Sequence, residues 1–165
     1  AEKVLELTEL LEQAPEAGWN GPKVVITGIT ADYTGLLKIF DDCKVAVVDD
    51  QITQDSLRFR VDAPVMDDPI EGLAQQMGEI EGCPVLYDLG KQRGVMLIDL
   101  VKKSGADGVI FVQTKFCDPE EYDYVPIKRM LDNEGIPSLQ IECDKQMTNY
   151  EQARTAIETF CEIIG

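Results

Sequence analysis

The chain has 165 residues, of which 44% are hydrophobic and 28% are charged, and its formal net charge is −16. This length suits one domain with its own core, and the composition is ordinary for a globular protein. So negative a chain repels polyanions, which disfavours nucleic acid and anionic membrane surfaces as partners. No apolar run approaches the ~18 residues that a membrane span requires. The amphipathic start does not resemble a signal peptide, so we expect a cytoplasmic protein.

Histidine is absent, and the five cysteines are widely spaced, at Cys43, Cys83, Cys117, Cys143 and Cys161. Without histidine, this chain cannot carry Ser-His-Asp or Cys-His catalysis. The odd cysteine number and the lack of a CxxC pair fit a reducing compartment better than a disulfide framework. The same spacing argues against a zinc or cluster site built wholly from local sequence.

Helices and strands alternate along the first half of the chain. In order, the pattern predicts a helix over 3–13, a buried strand over 23–28, a helix over 33–41 and a strand over 44–48. Asp49 and Asp50 are predicted to close the second strand, and residues 51–67 to form loops and short turns. A helix should begin near Asp68 and Pro69, since aspartate caps helices and proline fits their first turn.

The second half continues the alternation. After a break at Gly82-Cys83-Pro84, the pattern predicts a helix over 89–104, a strand over 108–112, a helix from Asp118 to about Asn133, a strand over 138–141 and a helix over 149–163. Short apolar strands that alternate with helices imply parallel pairing with helices on both faces. We therefore predict that residues 1–165 form a single α/β domain with a flavodoxin-like, doubly wound sheet of about four parallel strands.

Ligands of such sheets bind beyond the carboxyl ends of the strands, and Cys117 follows the third strand at that edge. Asp118 is predicted to cap the next helix, with Pro119 in its first position and Glu121 closing a capping box. The helix dipole, with Lys115 nearby, would then favour a thiolate at Cys117. A thiolate ligates iron or attacks an electrophile. The alternative is an inert buried cysteine beside a turn.

The other cysteines are weaker candidates for chemistry. Cys43, at a predicted strand start, and Cys161, on a helix, are expected to be core residues. Cys143 ends the fourth strand and could approach Cys117, whereas Cys83 is expected in a turn.

A few charged residues could also contact ligands. Asp49 and Asp50 could orient a ligand hydroxyl or bind a metal, although paired acids often form a solvated strand end. Arg58, Arg60 and Arg93 are possible anion contacts, with surface positions as the default expectation.

The segment Lys115 to Tyr124, KFCDPEEYDY, resembles the signature near the C-terminus of 2-hydroxyacyl-CoA dehydratase and benzoyl-CoA reductase subunits. Residues 105–110 and 135–137 are similar to the family in order and spacing, and residues 152–160 resemble its closing helix. Ala156 and Thr159 depart from that closing motif. Family subunits are roughly twice this length or more, so the resemblance implies the C-terminal domain of a larger subunit.

The resemblance also implies a cofactor and a reaction. Family subunits hold a [4Fe–4S] cluster through three cysteines, one of which corresponds to Cys117, and the other two would lie in the preceding region. The implied reaction is reversible syn-elimination of water from an (R)-2-hydroxyacyl-CoA to a 2-enoyl-CoA through a ketyl radical. The implied partners are the acyl-CoA substrate, a second dehydratase subunit and an ATP-dependent iron–sulfur activator protein.

Three alternatives stay open from the sequence. The chain could belong to a benzoyl-CoA reductase-type subunit, or be a non-catalytic partner module of the same fold. It could also be a flavodoxin-like binding domain that uses Asp49 and Asp50 without a cluster. We expect the isolated chain to fold alone, to be colourless and to lack activity, because it supplies one credible cluster ligand.

Overall fold

The computed structural model describes residues 2–15 and 18–165 of the chain. Its centre is a four-stranded sheet in which neighbouring strands pair in parallel. The strands are β1 (Lys23–Gly28), β2 (Ala46–Ile52), β3 (Gly108–Thr114) and β4 (Ser138–Cys143). Their order across the sheet is β2-β1-β3-β4. The predicted flavodoxin-like α/β fold is thereby confirmed.

Six helices accompany the sheet in the described ranges. They are α1 (Glu2–Glu12), α2 (Thr34–Asp42), α3 (Pro69–Glu79), α4 (Gln92–Ser104), α5 (Asp118–Asn133) and α6 (Glu151–Ile164), with a 3-10 turn at Ser56–Arg58. The predicted start of α3 is confirmed, because the Asp68 carboxylate accepts a hydrogen bond from the Ile70 backbone N–H at 2.8 Å. Gly105, in the left-handed region at φ 65°, ends α4 as predicted.

Helices cover both faces of the sheet. Successive strand residues point to opposite faces, so Ile26 of β1 packs with α2 and α6, whereas Val25 packs with α4 and α5. Ile157 of α6 and Ile127 of α5 are fully buried against these two faces. The sheet therefore separates two apolar clusters.

Strand β2 differs from the prediction, because it continues through Asp49 and Asp50 to Ile52. These two aspartates pair in register with Val25 and Ile26 of β1 instead of ending the strand. β2 is an edge strand, where carboxylates can still reach water, so acidic residues do not end the pairing.

The order of the strands reverses at β1, which lies between β2 and β3. In sheets of this kind, a crevice opens beyond the carboxyl ends of the strands on either side of that point. Gly28 at the end of β1 pairs with Val112, so the segment after β3 borders this crevice.

Helix α1 leaves an apolar side uncovered, since Val4, Leu7 and Leu11 are all exposed. Within the part of the chain that the structure describes, no helix has both the length and the apolar character needed to cross a bilayer.

Candidate functional site

Cys117 lies in the tight turn that joins β3 to α5. Its backbone N–H donates to the Thr114 carbonyl at 3.1 Å, and its own carbonyl accepts from the Glu121 N–H at 3.1 Å. Phe116, the residue before Cys117 in this turn, takes a left-handed conformation at φ 62° and is 88% exposed. This conformation costs a non-glycine residue roughly 1–2 kcal/mol. The turn thus places a partly exposed thiol at the carboxyl edge of the sheet.

The start of α5 differs by one residue from the prediction. Cys117 itself is the N-cap, so Asp118 is the first helical residue and Pro119 the second. The capping residue makes no side-chain hydrogen bond, and the predicted capping box with Glu121 is wrong. The helix begins earlier because the Cys117 carbonyl already accepts the first helical hydrogen bond.

The predicted stabilisation of a thiolate at Cys117 is also wrong in direction. Partial burial raises the pKa of the free thiol, and the nearby Glu120 backbone N–H lowers it. The negative charges of Glu120 and Asp118 raise it further. The free cysteine is therefore protonated at neutral pH, because burial, together with the acidic first turn, outweighs the helix terminus.

Glu120 folds back under this turn and is 4% exposed. Its carboxylate accepts a hydrogen bond from the Thr114 backbone N–H at 2.8 Å. Burial raises the pKa of Glu120, whereas the Thr114 N–H and the Arg93 charge lower it. At Gly28, an added Cβ would meet the Val112 carbonyl oxygen at 2.3 Å and Glu120 Oε1 at 3.5 Å. The glycine thus lets β1 approach the Val112 carbonyl of β3 closely, with the Glu120 carboxylate beside it.

Arg93, in the first turn of α4, is 2% exposed, so the expected surface position is wrong. Its Nη2 donates to Thr27 Oγ1 at 3.1 Å. The Thr27 hydroxyl donates in turn to Gln51 Oε1 at 3.2 Å, and Gln51 Nε2 donates to the Arg93 carbonyl at 3.3 Å. These bonds tie α4 to the ends of β1 and β2.

Two carboxylates of α5 neutralise this buried guanidinium. Asp123 is 7% exposed, and its Oδ2 lies 3.9 Å from Arg93 Nη1, while its Oδ1 accepts from Lys91 Nζ at 2.6 Å. Burial lowers the pKa of Arg93, and Glu120 and Asp123 raise it, followed by Cys83 and Cys117. The two carboxylates therefore offset part of the cost of burying the guanidinium.

The positions of these charged residues in the sequence could have predicted their burial. Arg93 precedes the buried Leu97 by four residues and Val101 by eight, which puts it on the apolar side of α4. Glu120 and Asp123 likewise precede the buried Ile127 by seven and four residues. Charged residues in line with a core face are candidates for a buried polar network.

Cys83 and Cys143 lie in different surroundings. Cys83 is partly buried in the loop after α3, as predicted for a turn, and its Sγ lies 4.0 Å from Thr53 Oγ1. Cys143 is fully buried in the apolar cluster on the α2/α6 face, and burial raises its pKa to about 11. The Cys143 carbonyl accepts a hydrogen bond from the Lys115 N–H at 2.9 Å, so the backbone of Cys143 lies beside the Cys117 turn while its thiol points into the apolar cluster.

Cys43 and Cys161 are partly buried against the α2/α6 cluster, as expected for core residues. Cys43 caps the end of α2 instead of beginning a strand. In residues 2–15 and 18–165, no three or more cysteine, aspartate or glutamate side chains form a group suited to a metal ion. Any cluster held by Cys117 would need ligands from elsewhere.

Asp49 and Asp50 serve the local structure of β2. Asp49 Oδ1 accepts from Arg60 Nη2 at 2.7 Å, and Asp50 Oδ1 accepts from the backbone N–H groups of Ile52 at 3.0 Å and Ser56 at 3.3 Å. Arg58 and Arg60 are exposed. These contacts give the aspartate pair a structural role in the turn that follows β2.

A cleft of about 400 Å³ opens beside the Cys117 turn. Thr30, Tyr33 and Phe116 line it, and its charged lining residues are Lys115, Lys145 and Asp144. The cleft lies at the carboxyl edge of the sheet, where ligands were predicted to bind.

The family model described as 2-hydroxyglutaryl-CoA dehydratase, D-component, matches residues 1–164. The chain belongs to this family. The resemblance of the KFCDP segment is thus confirmed at the level of the family, and the segment lies within the matched range.

Three curated relatives of the dehydratase family match nearly the whole chain. The (R)-phenyllactyl-CoA dehydratase beta subunit of Clostridium sporogenes is 44% identical over 99% of the chain and 43% of its own length. Lactoyl-CoA dehydratase subunit beta of Anaerotignum propionicum is 38% identical over 98% and 43%. (R)-2-hydroxyglutaryl-CoA dehydratase, subunit beta, of Acidaminococcus fermentans is 39% identical over 98% and 44%. The chain therefore spans less than half the length of these relatives.

Proposed function

We propose that this chain is the C-terminal domain of a 2-hydroxyacyl-CoA dehydratase subunit and supplies Cys117 as one ligand of a [4Fe–4S] cluster. The observation that carries the proposal is the partly exposed Cys117 thiol at the carboxyl edge of the sheet, in the turn that begins α5. The family match supports the same assignment. The larger subunit is proposed because each relative is more than twice as long as the matched chain.

The surroundings of Cys117 fit such a ligand. Its thiol is free and partly accessible, and Arg93 places a positive charge at the start of α4, which packs against α5. Because iron binding displaces the thiol proton, the raised pKa of the free cysteine is compatible with ligation. When bound, such a cluster supplies an electron carrier and a Lewis acid for a substrate oxygen.

The substrate in this proposal is a 2-hydroxyacyl-CoA thioester. The three relatives are named for phenyllactyl-, lactoyl- and 2-hydroxyglutaryl-CoA, which differ in the acyl group and share the 2-hydroxyacyl-CoA unit. Since all three names describe dehydration, we propose elimination of water to a 2-enoyl-CoA in preference to aromatic-ring reduction. Lys115 and Lys145 would offset the net charge of −16 where an anionic thioester enters the cleft.

The proposed partners follow from the same assignment. The relatives are named as beta subunits, which supports a second dehydratase subunit as partner. An ATP-dependent iron–sulfur activator would deliver the electron, and a ketyl radical of the substrate would carry the elimination.

The test is the metal content of the native subunit that contains this chain, purified without oxygen. We expect brown protein with iron and sulfide, and we expect Cys117→Ala to lose most of both. Cys83→Ala and Cys43→Ala are matched controls, because both thiols are also partly buried. Both controls should keep the iron of the unaltered subunit.

Two results would contradict this assignment. A colourless subunit in the absence of oxygen would favour a non-catalytic module of the same fold. Equal iron in Cys117→Ala and the unaltered subunit would remove Cys117 from the ligand set. Flavin or nucleotide that copurifies tightly with an iron-free subunit would instead favour a flavodoxin-like binding domain.

A further inference from the structure

Arg93 has more hydrogen-bond donors than its visible partners use. Nη2 donates to Thr27, but Nε and Nη1 have no hydrogen-bond partner in the parts of the chain that the structure describes. Nη1 lies 3.9 Å from Asp123 Oδ2, which is too far for a hydrogen bond. Unmade hydrogen bonds to a buried charged group are costly. The side chain is 2% exposed, so bulk water cannot satisfy these donors.

The two neighbouring carboxylates balance the charge of Arg93 but make their short hydrogen bonds to other groups. Asp123 Oδ1 accepts from Lys91 Nζ at 2.6 Å, and Glu120 Oε2 accepts from the Thr114 N–H at 2.8 Å. The N–H of Nε and the two N–H groups of Nη1 therefore remain for a further anionic or polar group.

The fold brings these donors to the Cys117 turn. Cys117, Glu120 and Asp123 follow one another at intervals of three, which places them along one side of the first turns of α5. Arg93 begins α4, which packs on α5, and its guanidinium lies between Asp123 of α5, 3.9 Å from Nη1, and Thr27 of β1, 3.1 Å from Nη2. The same carboxylate of Glu120 reaches the end of β1 at Gly28. A group bound through Cys117 would lie beside a buried cation with free donors.

We propose that Arg93 is the built-in counter-cation of the anionic group that Cys117 holds, and that its charge and free N–H donors raise the reduction potential of that group. The inference rests on the proposed function. Reduction adds a negative charge, which a fixed positive charge in a desolvated site stabilises. Hydrogen bonds to cluster sulfurs and local charge are known determinants of such potentials.

The test compares reduction potentials in the native subunit that contains this chain, purified without oxygen. The variants are Arg93→Gln, which removes the charge, and Arg93→Lys, which keeps the charge but loses Nε and the planar group. Arg129→Met, on the exposed side of α5, is the control. We expect Arg93→Gln to retain iron and to shift the one-electron reduction equilibrium at least about tenfold toward the oxidised form, which equals about 59 mV. Arg93→Lys should shift it less in the same direction, and Arg129→Met should leave it unchanged.

A merely structural role for Arg93 predicts lower stability with no change in potential. Iron-containing Arg93→Gln with an unchanged potential would therefore overturn the inference while the proposed function stands. Absence of iron from the unaltered subunit would instead defeat the proposed function and, with it, this inference. If Arg93→Gln does not fold, the reduction potential of Arg93→Lys is the test. An unchanged potential in that variant would overturn the role of the free donors.

Discussion

The two faces of the sheet use the same strands but bury different chemistry. The α2/α6 face encloses apolar side chains such as Leu36, Ile110 and Ile157. The α4/α5 face has its own apolar cluster, but this cluster gives way to Arg93 and Glu120 at the carboxyl edge. A buried ion costs several kcal/mol unless it is paired. Arg93 and Glu120 are not needed to fill the core, and they lie at the edge where such sheets bind ligands. They therefore indicate that the α4/α5 face serves function as well as folding.

The largest effect should follow from removing the buried cation. Arg93→Met in the 165-residue chain leaves Glu120 and Asp123 buried beside an apolar side chain, so we expect a loss of about 3–5 kcal/mol in the free energy of unfolding. Urea denaturation measures this loss. Arg129→Met, an exposed position on α5, should stay within about 0.5 kcal/mol of the original chain. Equal losses in the two variants would show that the Arg93 network contributes nothing to folding.

The apolar face should respond to cavities in the ordinary way. Ile157 of α6 is fully buried, whereas Ile163 of the same helix is 69% exposed. Ile157→Ala should lower the free energy of unfolding by about 3 kcal/mol, because it removes buried methyl groups and leaves a cavity. Ile163→Ala is the matched control and should change it little. Similar losses at both positions would mean that α6 does not pack as described.

Cys143 gives the apolar face a pH dependence of its own. Burial raises the pKa of its thiol from 9.0 to about 11, so the folded state binds the proton more tightly than the unfolded state. The resulting stability is complete below pH 9 and is lost between pH 9 and about 11. At about 1.4 kcal/mol per pKa unit, the loss reaches at most about 3 kcal/mol.

Urea titrations of the original chain and of Cys143→Ala at several pH values isolate this contribution from other titrating groups. The difference in free energy of unfolding between the two proteins should shrink as the pH rises from 8 to 11. A difference in free energy of unfolding that stays constant over this range would show that folding does not raise the pKa of the Cys143 thiol.

The contrast between the faces also marks what the sequence could predict. The strand–helix alternation predicted the parallel sheet and the position of Cys117, because hydrophobic periodicity and turn residues are local signals. The buried state of Arg93 and the protonated state of Cys117 depend on contacts between α4, α5 and the end of β1. Periodicity alone places Arg93 on the face that continues through Leu97. It does not reveal that Asp123 and Glu120 neutralise the charge there.

The smallest effect should come from an arginine on the rim of the apolar face. Arg154 of α6 donates to Asp42 of α2 at 2.8 Å, and its side chain is 29% exposed. This ion pair lowers the pKa of Asp42, but Lys38 contacts the same carboxylate and lowers it more. Arg154→Met should therefore cause a small loss of stability.

Salt separates this arginine from the buried one. In about 1 M salt the Debye length is about 3 Å, so the attraction between exposed partners is largely screened. The stability difference between Arg154→Met and the original chain should therefore disappear in high salt, because the screened ion pair no longer stabilises the original chain. The loss in Arg93→Met should persist under the same conditions, because water and ions do not reach a side chain that is 2% exposed. Equal salt sensitivity at the two arginines would remove the distinction between a solvated rim and a desolvated charge site.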